Sequence, residues 1–379
     1  MYLALYRKYR PQNFDDVVGQ DHIVKTLVNQ IKFDKISHAY LFTGSRGTGK
    51  TSIAKIFARA INCTNLNNGS PCGKCENCKA LEGTNIDVLE IDAASNNGVD
   101  EIRDLREKVK YPPVVGRYKV YIIDEVHMLS ISAFNALLKT LEEPPAQTVF
   151  VLATTEVHKL PATILSRCLR FDFKLVSLDD LTSHLKKILT LENVKFDDSA
   201  VNVIARAGEG SVRDMLSIAD RCVSFAGTEL TYQKVIDVLG ISERETLIKM
   251  ANLIISHDVG GALKELDKVL SGGKSALVFS NDLISYFRDL ILIYSLKAKA
   301  REIVVVKDDI YVQMEAQATE KNYGEILKAI EILSGVEQEL RYSAQPRIVL
   351  ETAIIKIVSE SSLLSRIEKI EEAIKKFPS

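Results

Sequence analysis

The sequence predicts an α/β core built on a parallel sheet, followed by two all-α regions. Three observations lead to this prediction. Within the first ~175 residues, short apolar runs alternate with amphipathic helical stretches, the pattern of a parallel sheet covered by helices on both faces. A glycine-rich turn joins the first of these runs to a helix. After about residue 176, only helical patterns recur along the chain.

The composition is that of a globular protein and excludes several other classes. Of the 379 residues, 46% are hydrophobic and 26% are charged, which disfavours disordered, collagen-like and rod-like chains. No apolar run approaches the ~18 residues that a membrane span needs, and the start MYLALYRKYRP does not resemble a signal peptide. We therefore expect a cytoplasmic protein without a membrane partner.

Charge is distributed unevenly along the chain. The net charge is −1, yet residues 1–60 carry ten Lys and Arg side chains against four Asp and Glu. A basic block on a nearly neutral chain indicates a local anion-binding site more than a surface that coats a polyanion.

Four segments of the first region are strand candidates, and a clear helix lies between two of them. The strand candidates are residues 38–42, 88–91, 120–123 and 149–152. Residues 132–143 carry apolar side chains at helical offsets, and Pro144-Pro145 ends the helix. The apolar residues of this helix are Phe134, Leu137, Leu138 and Leu141. Buried strands flanked by such helices predict a doubly wound core like that of an ATPase.

The glycine-rich turn at residues 44–51 fits the phosphate-loop motif G-x-x-x-x-G-K-[ST]. It follows a strand and precedes a helix, which is the context that the motif requires. Its backbone N–H groups would bind phosphate oxygens, Lys50 would reach the β- and γ-phosphates, and Thr51 would hold Mg²⁺. The alternative, a plain turn before a helix, is disfavoured by the complete motif. The predicted loop comprises Gly44, Ser45, Arg46, Gly47, Thr48, Gly49, Lys50 and Thr51.

A second motif, Val-Tyr-Ile-Ile-Asp124-Glu125, places two acids at the end of an apolar strand. The carboxyl end of that strand should lie beside the phosphate loop. Asp124 would then support Mg²⁺, and Glu125 would orient or deprotonate the attacking water. Alone, such acids are more often solvated strand ends, but downstream of a phosphate loop they predict ATP hydrolysis.

Four of the six cysteines lie within sixteen residues and predict a metal site. These four are Cys63, Cys72, Cys75 and Cys78. Short C-x₂-C spacing lets thiolates share one tetrahedral ion, and four sulfur ligands leave no position for water, so we predict structural Zn²⁺. An iron–sulfur cluster and unligated or redox thiols are the alternatives, although recurring cluster spacings differ from this one. Cys168 and Cys222 have no partner pattern and are interpreted as ordinary buried thiols.

The two later regions have helical patterns with distinct boundaries. Residues 211–214, Ser-Val-Arg-Asp, form a capping box at a helix start. Gly272-Gly273 marks a break between helices of the third region. One helical stripe of that region comprises Leu283, Phe287, Leu290, Ile291 and Tyr294. The tail from 363 to 379 has an apolar heptad seam that is too short to identify a coiled coil.

Three more polar residues have surroundings that allow a role in the site, although each is also compatible with an ordinary structural or surface role. Thr155 follows a strand, where a hydroxyl is more often a cap. Arg167 lies in Ser-Arg-Cys and Arg213 at the capped helix start, where a surface charge is the usual interpretation. The six histidines show no ligand spacing, and no role is predicted for them.

Five motifs in this order resemble the gamma/tau family of bacterial DNA polymerase III clamp-loader subunits. They are the phosphate loop, YIIDEVHML at 121–129, LLKTLEEPP at 137–145, ATT at 153–155 and SRC at 166–168, together with the four-cysteine insert. The resemblance is dense over residues 1 to about 240. Over about 241–360 it depends on helical character and length.

The resemblance implies an α/β AAA+ P-loop ATPase core with a zinc-binding insertion, an all-α lid and an all-α collar. The implied core is 1–175 with a zinc module at 62–80, the lid 176–240, the collar 241–362 and a helical tail 363–379. It implies a motor that uses ATP to load the sliding clamp onto primer–template DNA during replication. Implied partners are delta and delta-prime subunits and further gamma/tau copies in a pentamer.

The resemblance also implies roles for individual residues. Thr155 matches a first sensor, Arg213 a second sensor on the lid, and Arg167 an arginine finger that enters the neighbouring subunit's ATP site. The implied adenine pocket comprises Tyr9, Arg10, Pro11, Val17 and Val18. Tau forms carry additional C-terminal domains, so this chain is expected to be either a gamma-like short form or a truncated tau.

Two rival functions are open to a chain with these motifs. The first is a different AAA+ machine, such as a Holliday-junction motor or a helicase loader, which the cysteine insert and Ser-Arg-Cys disfavour. The second is a switch that binds ATP without cleaving it, which the presence of Lys50, Asp124 and Glu125 disfavours.

Overall fold

The computed structural model describes residues 2–80, 86–96, 98–239, 244–304, 306 and 308–359. The chain forms two compact units, Met1–Val235 and Ile236–Ser379. The predicted tail at 363–379 lies outside the described residues. Within the described residues, no helix combines the length and hydropathy that crossing a membrane requires.

The first unit contains a five-stranded, wholly parallel sheet in the order β2-β3-β4-β1-β5. The strands are β1 (Ala39–Thr43), β2 (Val88–Asp92), β3 (Lys119–Asp124), β4 (Thr148–Thr154) and β5 (Leu169–Asp172). The four predicted strands are confirmed to within two residues at each end. The fifth was not predicted, because only Phe171 of its four residues is buried and an edge strand of this kind lacks an apolar run.

Alternate residues of the strands face two separate hydrophobic layers. On one face, Tyr40 and Phe42 pack with Phe57, and the rings of Tyr40 and Phe57 are 4.8 Å apart. On the other face, Leu41 lies in a cluster with Leu137. Because helices cover both faces, β1, β3 and β4 are buried along almost their whole length, as a doubly wound sheet requires.

Helices of the first unit connect and cover the strands. The predicted helix at 132–143 is found at Ile131–Glu142, where Ser130 Oγ caps it by accepting from Ala133 N and Pro144-Pro145 follows its end. The α-helices are Leu5–Lys8, Asp21–Lys32, Lys50–Ile61, Glu76–Ala80, Val99–Val109, Ile131–Glu142, Ala162–Leu165, Leu178–Leu191, Asp198–Ala207 and Val212–Ala226. A further helix, Tyr232–Leu239, includes the boundary between the two units. Short 3₁₀ helices lie at Phe14–Asp16, Val126–Met128 and Val157–Lys159.

The prediction that residues 176–240 contain helices alone is wrong in one respect. Two short strands, β6 (Lys195–Phe196) and β7 (Glu229–Leu230), pair in parallel between the helices. Strands of two residues cannot display a period of two, so the sequence pattern could not indicate them. The predicted helix start is confirmed, because Ser211 Oγ accepts from Asp214 N at 3.1 Å. Only this half of the capping box forms, since the Ser211 N–H donates to Gly208 O at 2.8 Å.

The described part of the second unit is helical. Its helices are Arg244–Ile255, Val259–Ser271, Ala276–Leu296, Asp308–Gln317, Glu320–Gly335, Glu337–Tyr342 and residues 346–359, with a 3₁₀ helix at Lys297–Glu302. The predicted break at Gly272-Gly273 is confirmed, and Leu283, Phe287 and Leu290 of the predicted stripe are buried in the core.

A buried amide joins three helices of this unit. Gln317 accepts from Tyr286 Oη at 2.5 Å, and its amide nitrogen donates to Ile248 O at 2.9 Å and to Asn252 Oδ1 at 2.7 Å. A buried polar side chain whose bonds are all satisfied favours one arrangement of helices over alternatives.

Candidate functional site

The turn between β1 and the helix Lys50–Ile61, which we call the P-loop helix, has a backbone that requires glycine. Gly44 and Gly47 have φ of 140° and 75°. A Cβ on Gly44 would lie 2.4 Å from Phe173 O, and one on Gly47 would lie 1.9 Å from Ser211 Oγ. The loop is therefore packed between the segment after β5 and the start of the helix Val212–Ala226, which we call the lid helix.

Lys50 lies almost fully buried at the centre of this loop. Its side-chain ammonium donates to Gly44 O at 2.7 Å and to Ser45 O at 2.8 Å, and the residue is 6% exposed. Burial lowers the pKa of Lys50, and the negative charges of Glu125 and Asp124 oppose that shift. The loop thus presents one buried cation beside two carboxylates.

Thr51 and Asp124 are in direct contact. Thr51 is the second residue of the P-loop helix, Asp124 ends β3, and Thr51 Oγ1 donates to Asp124 Oδ2 at 2.7 Å. The other carboxylate oxygen accepts from Glu125 N at 3.0 Å. A hydroxyl and a carboxylate together offer the hard oxygen ligands that Mg²⁺ prefers.

Glu125 follows β3 in an unusual backbone conformation. Its φ is 48°, in the left-handed region that a residue with a Cβ rarely adopts, and such strain is often kept at functional sites. Its side chain is one-third exposed, and its Oε2 accepts from Thr155 Oγ1 at 3.1 Å. The carboxylate is therefore aimed at the end of β4, where the predicted sensor residue lies.

His127, for which no role was predicted, belongs to the same group of side chains. Its Nδ1 lies 3.0 Å from Thr154 Oγ1 and 3.4 Å from Glu125 Oε2, and its Nε2 lies 3.2 Å from Glu156 Oε1. The side chain is 6% exposed. In the sequence, this histidine is not spaced from other potential metal ligands in a way that predicts a metal site. The signal that could have found it is its position, two residues after the second acid at a strand end.

Arg213 lies next to the phosphate loop. A Cβ on Gly47 would be 3.3 Å from Arg213 Cβ, and the guanidinium lies 5.4 Å from the ring centroid of Tyr6. The start of the lid helix therefore places an arginine beside the loop, and its role as a second sensor stays a prediction. The side chain is exposed.

The predicted adenine segment runs between the P-loop helix and the helix Leu178–Leu191. Arg10 Nε donates to Ser52 Oγ at 3.1 Å, and Tyr9 Oη donates to Glu192 Oε1 at 2.6 Å. Burial and the neighbouring Glu192 carboxylate raise the pKa of Tyr9. Of the remaining predicted residues, Val17 packs against the core, and Pro11 and Val18 are half-buried.

Arg167 is not brought to this group. Its guanidinium donates to Thr163 O at 2.9 Å and to Glu142 Oε1 at 2.8 Å. Within the parts of the chain that the structure describes, it forms no bond to the phosphate loop. A role for Arg167 in the nucleotide site of its own chain is therefore disfavoured.

The four clustered cysteines form a compact group of sulfur atoms. Their Sγ atoms all lie within 4.8 Å of one another. Cys72 Sγ accepts from Lys74 N at 3.4 Å and from Cys75 N at 3.3 Å, and these N–H groups lower the pKa of Cys72. Cys78 N donates to Cys75 Sγ at 3.4 Å. A tetrahedral metal ion fits four converging thiolates that receive backbone N–H groups in this way.

The cysteine module is attached to the far end of the P-loop helix. Asn62, which directly follows that helix, accepts from Asn77 Nδ2 at 2.7 Å through its backbone carbonyl oxygen, and its side chain bonds the backbone of Tyr118. A helix of 12 residues is about 18 Å long, so the sulfur cluster lies well away from the phosphate loop. A metal ion there would have a structural role.

Cys168 and Cys222 lie outside this module. Burial raises the pKa of each thiol to about 11, which keeps both protonated and unreactive at neutral pH. Cys222 is fully buried, whereas Cys168 is only partly buried.

Comparison with known protein families gives three consecutive matches. A family model described as the delta subunit of DNA polymerase III matches residues 19–177. One described as the ATPase lid domain of the DNA polymerase III clamp-loader subunit matches 180–228, and one described as domain III of the gamma and tau subunits matches 230–373.

Individual relatives extend over nearly the whole chain. DNA polymerase III subunit tau of Bacillus subtilis is 44% identical, over 99% of this chain and 68% of that protein. This chain belongs to the gamma/tau family. The gamma subunit of Buchnera aphidicola is 35% identical over 94% of this chain and 99% of that protein. The gamma/tau protein of Mycobacterium tuberculosis is 38% identical over 97% of this chain and 66% of its own length.

The fold class agrees with membership in the gamma/tau family of clamp-loader ATPases: a P-loop α/β core is followed by helical regions. The chain spans about two thirds of the length of the Bacillus and mycobacterial relatives. Among solved structures, the Thermotoga maritima RuvB branch-migration motor is 20% identical with a TM-score of 0.49, over 65% of this chain and 79% of that one. Similarity at that level carries no argument about function.

Proposed function

We propose that this chain hydrolyses ATP as the motor subunit of a clamp loader, which places the sliding clamp on primer–template DNA. The observation that carries the proposal is the pair of contacts Thr51–Asp124 and Thr155–Glu125, which lie beside the phosphate loop. The first contact would supply a cation site and the second a positioned base, next to the loop that would bind the phosphates. Membership in the gamma/tau family supports the same activity.

Each residue of the site has a distinct task in the proposed reaction. The loop N–H groups and Lys50 bind the phosphates, and Thr51 and Asp124 would hold Mg²⁺, which neutralises the charge that develops on them. Glu125 accepts the proton of the attacking water, and Thr155 holds its carboxylate in place. Arg10 and Tyr9 begin the segment that would line the adenine pocket, with Pro11, Val17 and Val18.

Two arginines are proposed to make hydrolysis depend on the placement of the lid and on the presence of a neighbouring subunit. Arg213 lies on the lid helix beside the loop, so its contact with a nucleotide would depend on how the lid is placed. Arg167 bonds Glu142 and Thr163 in its own chain, which suits a finger that serves the neighbouring subunit. An arginine supplied by a neighbouring subunit raises kcat for hydrolysis by ~10³–10⁵-fold.

We also propose the division into an ATPase core at 1–175, a lid at 176–240, a collar at 241–362 and a tail at 363–379. The change from sheet to helices near residue 176 supports the first boundary. The proposed partners are delta and delta-prime subunits, further copies of this chain, the clamp and primed DNA. The proposed location is the cytoplasm, where replication takes place in bacteria.

The proposed function predicts that turnover depends on assembly. The chain alone should hydrolyse ATP weakly, and a loader reconstituted with delta and delta-prime subunits should turn over more than about tenfold faster with clamp and primed DNA. Steady-state phosphate release measures both rates. Full activity of the monomer would contradict the motor proposal, and hydrolysis in no assembly would favour the switch that binds ATP without cleaving it.

We propose that the metal of the cysteine module is Zn²⁺, held by Cys63, Cys72, Cys75 and Cys78. Four sulfur ligands close the coordination shell of Zn²⁺. The fourth cysteine, Cys63, lies upstream of the C-x₂-C-x₂-C run, whereas the bacterial iron–sulfur spacing has its fourth cysteine downstream, and this difference supports zinc. Metal binding to such a site contributes directly to folding free energy. The ion would therefore stabilise the module and leave the chemistry of the phosphate loop unchanged.

Cys75→Ser is expected to lower the zinc content from about one ion per chain to nearly none, because three thiolates hold Zn²⁺ much more weakly than four. Elemental analysis of the purified protein measures the metal, and proteolysis reports the local loss of structure. The matched control is Cys222→Ser, which removes a thiol outside the module and should keep the ion. A wild-type protein that is folded and free of metal, or that contains iron, would contradict the assignment.

A further inference from the structure

We propose that His127 is a positioning residue for hydrolysis, which keeps the Glu125 carboxylate in a fixed position relative to the end of β4. The inference rests on the proposed function, because it assigns a partner to the residue that acts as the base.

Three contacts carry the inference. One edge of the imidazole, at Nδ1, faces both Thr154 Oγ1 at 3.0 Å and Glu125 Oε2 at 3.4 Å. The opposite edge, at Nε2, faces Glu156 Oε1 at 3.2 Å. The ring therefore contacts the base and two residues at the end of β4, with Glu125 and Thr154 on one edge and Glu156 on the other.

The surroundings of the ring are fixed on the β4 side. Glu156 N donates to Thr154 Oγ1 at 3.0 Å, so the hydroxyl that the imidazole meets is itself held in place. The Lys159 ammonium beside Glu156 lowers the pKa of Glu156, so this carboxylate is charged at neutral pH. With a side chain that is 6% exposed, His127 has little freedom to leave this position.

A support of this kind matters because of the backbone at Glu125. The residue is in a left-handed conformation and its side chain is one-third exposed, so burial alone does not fix the carboxylate. Thr155 holds one oxygen, and His127 adds a second contact to that same oxygen. General-base efficiency depends on hydrogen-bond geometry, and a displacement of about 1 Å can lower a rate by ~10².

The contacts of His127 also connect two functional segments. Thr155, the proposed sensor of the γ-phosphate, lies between Thr154 and Glu156, which are the two β4-end residues that His127 contacts. A shift of this segment would therefore move the imidazole, and with it the base. His127 joins the sensing segment to the strand end that carries Glu125.

His127→Ala is expected to lower kcat for ATP in the assembled loader by about 10- to 100-fold and to leave KM and equilibrium ATP binding unchanged. His127→Asn places an amide near the position of Nδ1 and should recover most of the turnover. His127→Gln reaches only the position of Nε2, on the Glu156 side, and should recover less. The matched control is His158→Ala: His158 is exposed and also faces Glu156, and its loss should leave kcat as in wild type.

A double-mutant cycle separates positioning from general destabilisation. If His127 acts through Glu125, then His127→Ala should produce no further loss of kcat in a Glu125→Gln background. Unchanged kcat in His127→Ala, a larger effect on KM than on kcat, equal losses in His127→Ala and His158→Ala, or additive losses in the cycle would each overturn the inference. Retained turnover in Glu125→Gln alone would instead overturn the base assignment in the proposed function.

Discussion

Replacing Glu125 with glutamine is expected to lower kcat for ATP hydrolysis by about 10²–10⁴-fold while ATP still binds. Glutamine has nearly the same shape as glutamate and can still meet the Thr155 hydroxyl, so the fold of the strand end is preserved. It carries no charge and cannot accept a proton from water. Asp124 and Thr51 remain in contact, so the proposed cation site is unaffected.

Two measurements on the assembled loader test this prediction. Single-turnover hydrolysis should show the loss, and equilibrium titration with ATP should give an unchanged dissociation constant. Glu229→Gln, at an exposed residue of β7, removes the same charge elsewhere in the first unit and should behave as wild type. Loss of ATP binding in Glu125→Gln would show that the carboxylate supports the site and is not the base.

Most of the core of this site could be predicted because its signals are local in sequence. The phosphate loop has a fixed spacing between Gly44 and Lys50, and an apolar run ends at Asp124. Parallel strands bring their carboxyl ends to one edge, so the loop after β1 and the acid that ends β3 are expected at the same edge of the sheet. The contact between Thr51 and Asp124 at 2.7 Å follows from topology as much as from residue type.

What could not be predicted depends on tertiary contacts that carry no spacing. His127 has the same neighbours in sequence whether it is exposed or buried, and only the approach of β3 to β4 brings it to Thr154. The same holds for the β5 edge strand, because its single buried residue, Phe171, cannot produce an alternation of apolar and polar residues in the sequence. The partner of Arg167 is 25 residues away, at the end of the helix that follows β3.

Replacing Arg167 with alanine is expected to lower the stimulated turnover of the loader by about 10³-fold or more, and to leave ATP binding unchanged. The guanidinium would stabilise the charge that develops on the transferred phosphoryl group in the neighbouring subunit. Monomeric chain should show no change in its weak basal rate. The comparison of these two rates is the measurement that tests a contribution in trans.

The ion pair between Arg167 and Glu142 is compatible with this task. The two side chains are 34% and 50% exposed, and pairs of that kind contribute only about 0–1 kcal/mol to stability. A small energy of this size is easily exceeded by contact with a nucleotide phosphate, which has more charge and accepts two parallel hydrogen bonds. Glu142 can therefore hold the arginine in a defined place without preventing its transfer to a neighbour.

Two variants distinguish a finger from a simple surface charge. Arg170→Ala removes an exposed arginine three residues further on, one that pairs with Asp172, and should leave stimulated turnover near wild type. Arg167→Lys keeps the charge but loses the planar arrangement of N–H donors of the guanidinium. It should therefore recover little of the stimulated turnover that Arg167→Ala loses. If Arg167→Ala lowers the monomer and the loader by the same factor, the arginine acts within its own subunit, and hydrolysis is not controlled by assembly.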